Sequence, residues 1–263
     1  MCKKLPTILF TLLLSVTVFS QSNQNITQII HLETDQYFTR SATRIAIWNK
    51  PGEWDQPGIK PVAELRVKPE DIIVQRGLSI YRYQPDRQVI TTYDKRINAL
   101  ETIPLSALKI YGVIAAWNVS EWGDFWFITS DGDGIIVPTN GTSNIPFRLP
   151  EVGRPDNIVA IPGSMVVISE VQITIYDLFG NRLFTFSKPS ISADYAGFTR
   201  QTMIFKQVSP SRLIAIDLRP GSPREFQLPD SSAIVISDDK SNTVRIWSPA
   251  AGHSVLTPIQ DTK

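Results

Sequence analysis

Two histidines, His31 and His253, stand near opposite ends of the 263-residue chain, and its one cysteine is Cys2. No His-x-x-x-His pattern occurs, and two imidazoles without evident carboxylate partners make a weak metal site. A serine nucleophile would have only His31 or His253 as its base. Both read as isolated residues at strand or turn ends, although closure of the fold could bring the chain termini together. The run Ser130-Asp131-Gly132-Asp133-Gly134 has the opening of a calcium loop. Such a loop closes with glutamate at its twelfth position, and counting from Asp131 that position is Thr142, with Ile135, Ile136 and Val137 in the middle. Asp-Gly between apolar strands is what a tight hairpin demands, and Asp238-Asp239 takes the same reading. Glu170, Asn157 and Asp156 are polar residues beside turns, which is commonplace. No Gly-x-Ser-x-Gly elbow and no Gly-rich phosphate loop is found. The expectation is no catalytic residue, no metal and no cofactor.

Tryptophan is the remaining signal. Trp54 lies in a Pro/Gly loop, Lys50 to Gly58, and Trp122 in Ser120-Glu121-Trp122-Gly123-Asp124. Aromatic residues on loops are favoured as binding anchors, so both are candidate partner contacts. The competing reading is that each folds back over an adjacent structural unit. Trp48, Trp126 and Trp247 sit within apolar strands and read as packing.

Composition narrows the partners. Lys and Arg number 26 against 25 Asp and Glu, a net charge of +1, which gives no broad pull toward nucleic acid or anionic lipid. Lys3 and Lys4 precede an apolar stretch, Ile8 to Phe19, with Val18 and Ser20 placed for cleavage before Gln21. This is the three-part plan of a secretory leader over residues 1–20, and the stretch is shorter than the ~20 residues a membrane span needs. Its removal would leave a chain without cysteine, extracytoplasmic (periplasmic or secreted), with no membrane span and held by its core alone. About 240 residues suffice for that, burying roughly three-quarters of their unfolded surface. The Asn-x-Ser/Thr triplets at Asn25, Asn118 and Asn140 read as unmodified turn residues.

The elements that must position these residues are strands. Between residues 35 and 258 a phrase recurs: an apolar strand, a polar turn, a second strand ending in an apolar anchor, a Gly or Pro turn, and a third strand. The anchors are Trp48, Tyr81, Val137, Tyr176, Ile216 and Trp247, spaced by subtraction at 33, 56, 39, 40 and 31. Met165 to Ile168 and Gln172 to Tyr176, the latter alternating with period two, are the clearest pair. Asp177 to Asn181 forms the next turn, with Gly180 able to take positive φ, and Arg182 to Phe186 returns. A β-only unit of roughly 40 residues is the signature of a propeller blade. Six units predict an all-β, six-bladed β-propeller, with five or seven blades open. The innermost strands are the least visible; Val113 to Trp117 and Ile158 to Ile161 are the best candidates. Residues 21–34, with Gln28 to Leu32, would supply a ring-closing strand, 259–263 would be a tail, and Arg96 to Gly112 reads as an insertion.

Through Ile175-Tyr176-Asp177-Leu178-Phe179-Gly180-Asn181-Arg182-Leu183-Phe184 and Val244-Arg245-Ile246-Trp247-Ser248, the chain resembles extracytoplasmic β-propeller repeat proteins with degenerate blades. The Trp-Asp dipeptide with an upstream Gly-His, typical of WD40 blades, is absent: Trp247 is followed by Ser248 and Trp48 by Asn49. The resemblance implies architecture and not activity, because one fold hosts many functions. Propeller lactonases gather Glu, Asn and Asp at the channel mouth, and the inner strands here do not align well enough to nominate such a set. Two readings follow. One is a non-enzymatic binding or scaffold module that docks a protein or envelope component through its loops. The alternative is a hydrolase or lyase acting on a sugar or lactone in the channel. Missing catalytic sets favour the first; oligomeric state stays open.

Overall fold

The computed structural model describes residues 25–32, 34–149, 154–200, 202–218, 223–238, 241, 243–249 and 252–256. The expected leader, Cys2 and the tail at 259–263 lie outside them. The first group of strands is β1 (Ile26–His31), β2 (Tyr37–Ser41), β3 (Arg44–Trp48) and β4 (Ala63–Arg66). The second is β5 (Ile72–Arg76), β6 (Ser79–Gln84), β7 (Val89–Tyr93) and β8 (Ala99–Pro104). The third is β9 (Ile114–Val119), β10 (Phe125–Thr129), β11 (Gly134–Val137) and β12 (Ile145–Phe147). The fourth is β13 (Pro155–Ile161), β14 (Ser164–Ser169), β15 (Gln172–Tyr176) and β16 (Arg182–Ser187). The fifth is β17 (Ala193–Thr199), β18 (Thr202–Gln207), β19 (Arg212–Asp217) and β20 (Arg224–Gln227). The last is β21 (Ile234–Ser237), β22 (Val244–Ser248) and β23 (Gly252–Leu256). Every group is an antiparallel meander, and the chain is a β-propeller.

The blade count differs from the expected six: the described strands form five sheets. Four contain one group each. The fifth has seven strands, in the order β23-β22-β21-β1-β2-β3-β4, because β1 pairs in parallel with β21, Ile29 opposite Ile236 and Ile30 opposite Ser237. The first and last groups are thereby one hydrogen-bonded sheet.

Burial explains why the inner and middle strands are apolar runs while the outer ones look polar. All five residues of β10 are buried, since a blade's second strand has neighbouring sheets on both faces. The outermost strands β8 and β16 are largely exposed. Apolar clusters fill the gaps between successive groups, such as Trp117, Phe125 and Phe127 against Tyr83 and Ile90. The cluster that closes the ring joins Ile29, Tyr37, Ala46 and Trp48 to Ile236 and Trp247.

Two expectations on the repeat are corrected. Tyr81 lies in β6, a second strand, whereas Trp48, Val137, Tyr176 and Ile216 lie at the ends of third strands. The equivalent residue of the second group is Tyr93, paired with Ile80 as Trp48 is with Tyr37. With it, subtraction gives 45, 44, 39 and 40, and the irregularity vanishes. Trp247 is likewise in a second strand, and Leu256, 40 residues past Ile216, ends the third. The segment read as an insertion is the outer strand β8 followed by a 3-10 turn, Leu105–Leu108; an exposed edge strand containing Glu101 and Pro104 carries no apolar signal.

Strand direction defines two faces. Turns after first and third strands share one end of the ring, called here the upper face. Turns after second strands, and the links between groups, share the lower.

Candidate functional site

The ring encloses a channel of about 280 Å³, walled by β1, β5, β9, β13 and β17. Its polar lining includes Gln28, Arg40, Arg76, Asn118, Asn157 and Tyr195. Asn118 donates its side-chain N–H to the Ile158 carbonyl at 2.7 Å and accepts the Val119 amide at 2.8 Å. It is therefore an inner-strand residue and not the turn residue expected from its triplet. Tyr195 meets Phe205 edge-on at 6.1 Å, and burial pushes its phenol well above the ordinary tyrosine value. At the lower end Arg40 donates to the Asp71 carbonyl at 2.9 Å; burial lowers its pKa, and the Asp71 charge pulls the other way. Asp71 is 1 % exposed and bound by Arg82 at 2.7 Å and by the Lys68 amide at 2.7 Å.

At the upper rim, where β1 meets β21, lies a charged cluster that sequence reading missed. His31 Nδ1 is 3.1 Å from the Asp238 carboxylate and 3.0 Å from an Arg245 N–H, and Nε2 is 3.5 Å from Asp35. Arg245 also donates to Asp238. The His31 ring stacks on Tyr37 at 4.9 Å. If Nδ1 carries the proton it donates to Asp238; if Nε2 carries it, Nδ1 accepts from Arg245 and Nε2 faces Asp35. The two expectations here, histidines without carboxylate partners and Asp238 as a plain turn residue, are both corrected for His31. Asp238 lies 207 residues away along the chain, so only ring closure could reveal the contact. The strand of His253, β23, is separated from β1 by β22 and β21, about 14 Å at three strand spacings; its side chain lies outside the description.

The two loop tryptophans share the upper face but not a site. Trp54, in a 3-10 turn (Glu53–Asp55), is half-buried against Tyr37 at 5.9 Å and Trp247 at 5.7 Å. It covers the closing cluster. Trp122 is 54 % exposed and meets the 64 % exposed Phe179 edge-on at 5.5 Å. These aromatics come from the third and fourth groups, across the ring from Trp54. Their turns are braced. Ser120 Oγ accepts the Trp122 and Asp124 amides, and Asp124 accepts the Thr139 amide at 2.9 Å. The Asp177 carboxylate accepts the Phe179 and Asn181 amides at 2.9 and 2.8 Å. Asp94 makes the same kind of turn, accepting the Arg96 and Asn98 amides, both at 2.8 Å.

The remaining candidates fall into place. Asp131 to Asp133 form the hairpin between β10 and β11, with Thr129 accepting the Asp133 amide at 3.1 Å. Glu170 sits exposed on a lower-face turn, Asn157 lines the channel, and the side chain of Asp156 lies outside the description. Among the described residues no three His, Cys, Asp or Glu gather as a metal site, and no helix is long and apolar enough to cross a membrane.

No protein-family model matches the sequence, and no curated protein matches it. Similar solved structures include virginiamycin B lyase from Staphylococcus aureus, a catalytically inactive variant with quinupristin: TM-score 0.50, 15 % identity, covering 92 % of this chain and 87 % of that one. PorZ, an essential bacterial surface component of the type-IX secretion system of Porphyromonas gingivalis, gives a TM-score of 0.56 at 10 % identity over 88 % of this chain. This chain spans only 31 % of PorZ. At such identities the likeness is one of fold, and the fold it shares with both is the β-propeller.

Proposed function

We propose that the protein is an extracytoplasmic, non-enzymatic binding ring that docks a protein through its upper-face turns. The observation that carries this reading is the Trp122–Phe179 pair, two large aromatic rings from neighbouring groups left in mutual contact and in water. Exposed aromatic side chains with few rotatable bonds lose little entropy on binding, and they dominate interface energetics. The Ser120 and Asp177 braces hold both rings in place before a partner arrives. Ile145 and Leu183, exposed on the outer strands β12 and β16 of the same two groups, extend the apolar character of this sector. The partner is accordingly a protein presenting an apolar segment. The leader-like stretch at residues 1–20 supports export.

Trp54 supports the surface at the closing seam and is not needed for capture. The test is capture from envelope extract on immobilised protein, comparing wild type with Trp122→Ala/Phe179→Ala and with Trp54→Ala. The double variant should lose about 2 kcal/mol of binding, roughly 30-fold in Kd, with its melting midpoint nearly unchanged. Undiminished capture by the double variant removes the proposal.

A further inference from the structure

The geometry points to the central channel as a binding site for a small oxyanion, a carboxylate or a phosphate, held by Arg76. Arg76 ends β5, is half-buried, and lines both the channel and its upper mouth. Among the described residues its guanidinium makes no hydrogen bond or ion pair. The second cation of the wall, Arg40, stands at the other end. Among the described residues no Asp or Glu lines the channel; Asp71, beneath Arg40, is already engaged by Arg82. The chain as a whole is nearly neutral, so the positive charge of Arg76 in the channel is local and not a by-product of a basic protein.

The donors complete the chemistry. The side-chain amides of Gln28 and Asn157 and the Tyr195 hydroxyl line the same space and have no partner among the described residues. Burial keeps the Tyr195 phenol protonated and hence a donor. A half-buried guanidinium with no counter-charge among the described residues gains from a bound oxyanion, which accepts paired N–H···O contacts from its planar fork. The volume, about 280 Å³, lies at the lower end of small-ligand pockets, roughly 300 Å³, so the ligand is of metabolite size. This site is separate from the Trp122–Phe179 surface and stands or falls without it.

The experiment is calorimetric titration of the processed protein at low chloride with citrate, inorganic phosphate and, as a neutral control, glucose. Citrate or phosphate should bind saturably and raise the melting midpoint, and glucose should do neither. Tighter binding of citrate identifies a carboxylate site, and tighter binding of phosphate a phosphate site. Arg76→Gln should weaken the anion at least tenfold without lowering the ligand-free midpoint. Arg76→Lys, which keeps the charge and loses the fork, should fall between, and Tyr195→Phe should weaken binding less than Arg76→Gln. Absence of binding by both anions at millimolar concentration overturns the inference, as does equal binding by Arg76→Gln.

Discussion

Replacing Asp238 with alanine tests whether the rim cluster locks the ring. Its carboxylate joins His31 of the first strand group to Arg245 of the last, so one truncation removes the acidic member of the polar tie across the seam and leaves the Arg245–His31 contact. Removing one partner of a buried ion pair costs about 3–5 kcal/mol because the other charge is stranded. Arg245 keeps its side chain 17 % exposed, and water there reduces the cost to about 2–3 kcal/mol. Its Nε lacks a partner among the described residues. For a domain of this size each kcal/mol moves the midpoint by about 2–4 °C, giving a fall of roughly 5–10 °C by differential scanning calorimetry. Lys68→Ala, which cuts the exposed 2.6 Å contact to Asp86, should leave the midpoint where it is. Asp238→Asn, which keeps an acceptor, should lie between wild type and Asp238→Ala. Hydrogen exchange in β1 and β21 should accelerate selectively in Asp238→Ala. A midpoint within about 2 °C of wild type, less than 1 kcal/mol on the same scale, would mean that the apolar cluster alone holds the seam.

Two further outcomes follow from packing and burial. A Cβ at Gly197 would lie 2.6 Å from Ser237 Oγ and 2.9 Å from Val235 Cγ1, so Gly197→Ala should cost about 1–3 kcal/mol by urea unfolding; if Gly197→Ala/Ser237→Ala recovers none of that loss, the contact with Ser237 is not its cause. Burial pushes the Tyr176 phenol up to about 12, and its hydroxyl donates to the Arg148 carbonyl at 2.7 Å. The unfolded chain gives up this proton near pH ~10 and the folded chain only near 12. Between these values the unfolded state binds fewer protons, so stability falls as pH rises. Ultraviolet titration should show a late-ionising phenol that Tyr176→Phe removes, and an unchanged titration in that variant would contradict the assignment.

The strand repeat was legible where two neighbouring sheets bury it. Met165 to Ile168 and Gln172 to Tyr176 read as strands because packing on both faces demands unbroken or strictly alternating apolar residues. Edge strands are half in water, so β8 passed for an insertion, and Tyr81, one strand too early, took the place of Tyr93. The inner strand β17 was hidden for a different reason: Gly197 answers the close approach of Ser237 and Val235, and a glycine weakens the periodicity by which a strand is recognised. Trp122 on its loop was visible in sequence, but its companion Phe179 was not singled out, since a contact between turns of neighbouring sheets leaves no local pattern. The same holds for His31 and Asp238.

Pairing of the earliest strand with one of the latest has a consequence for biogenesis. As the polypeptide emerges, Ile29, Tyr37 and Trp48 are only partly covered, by Trp54, until Ile236 and Trp247 have been made, which delays burial of that greasy seam to the end of translation. Non-local pairing of this kind folds slowly and leaves sticky intermediates. A nascent chain stalled short of β21 would therefore depend on a holdase, whereas the completed one shields itself.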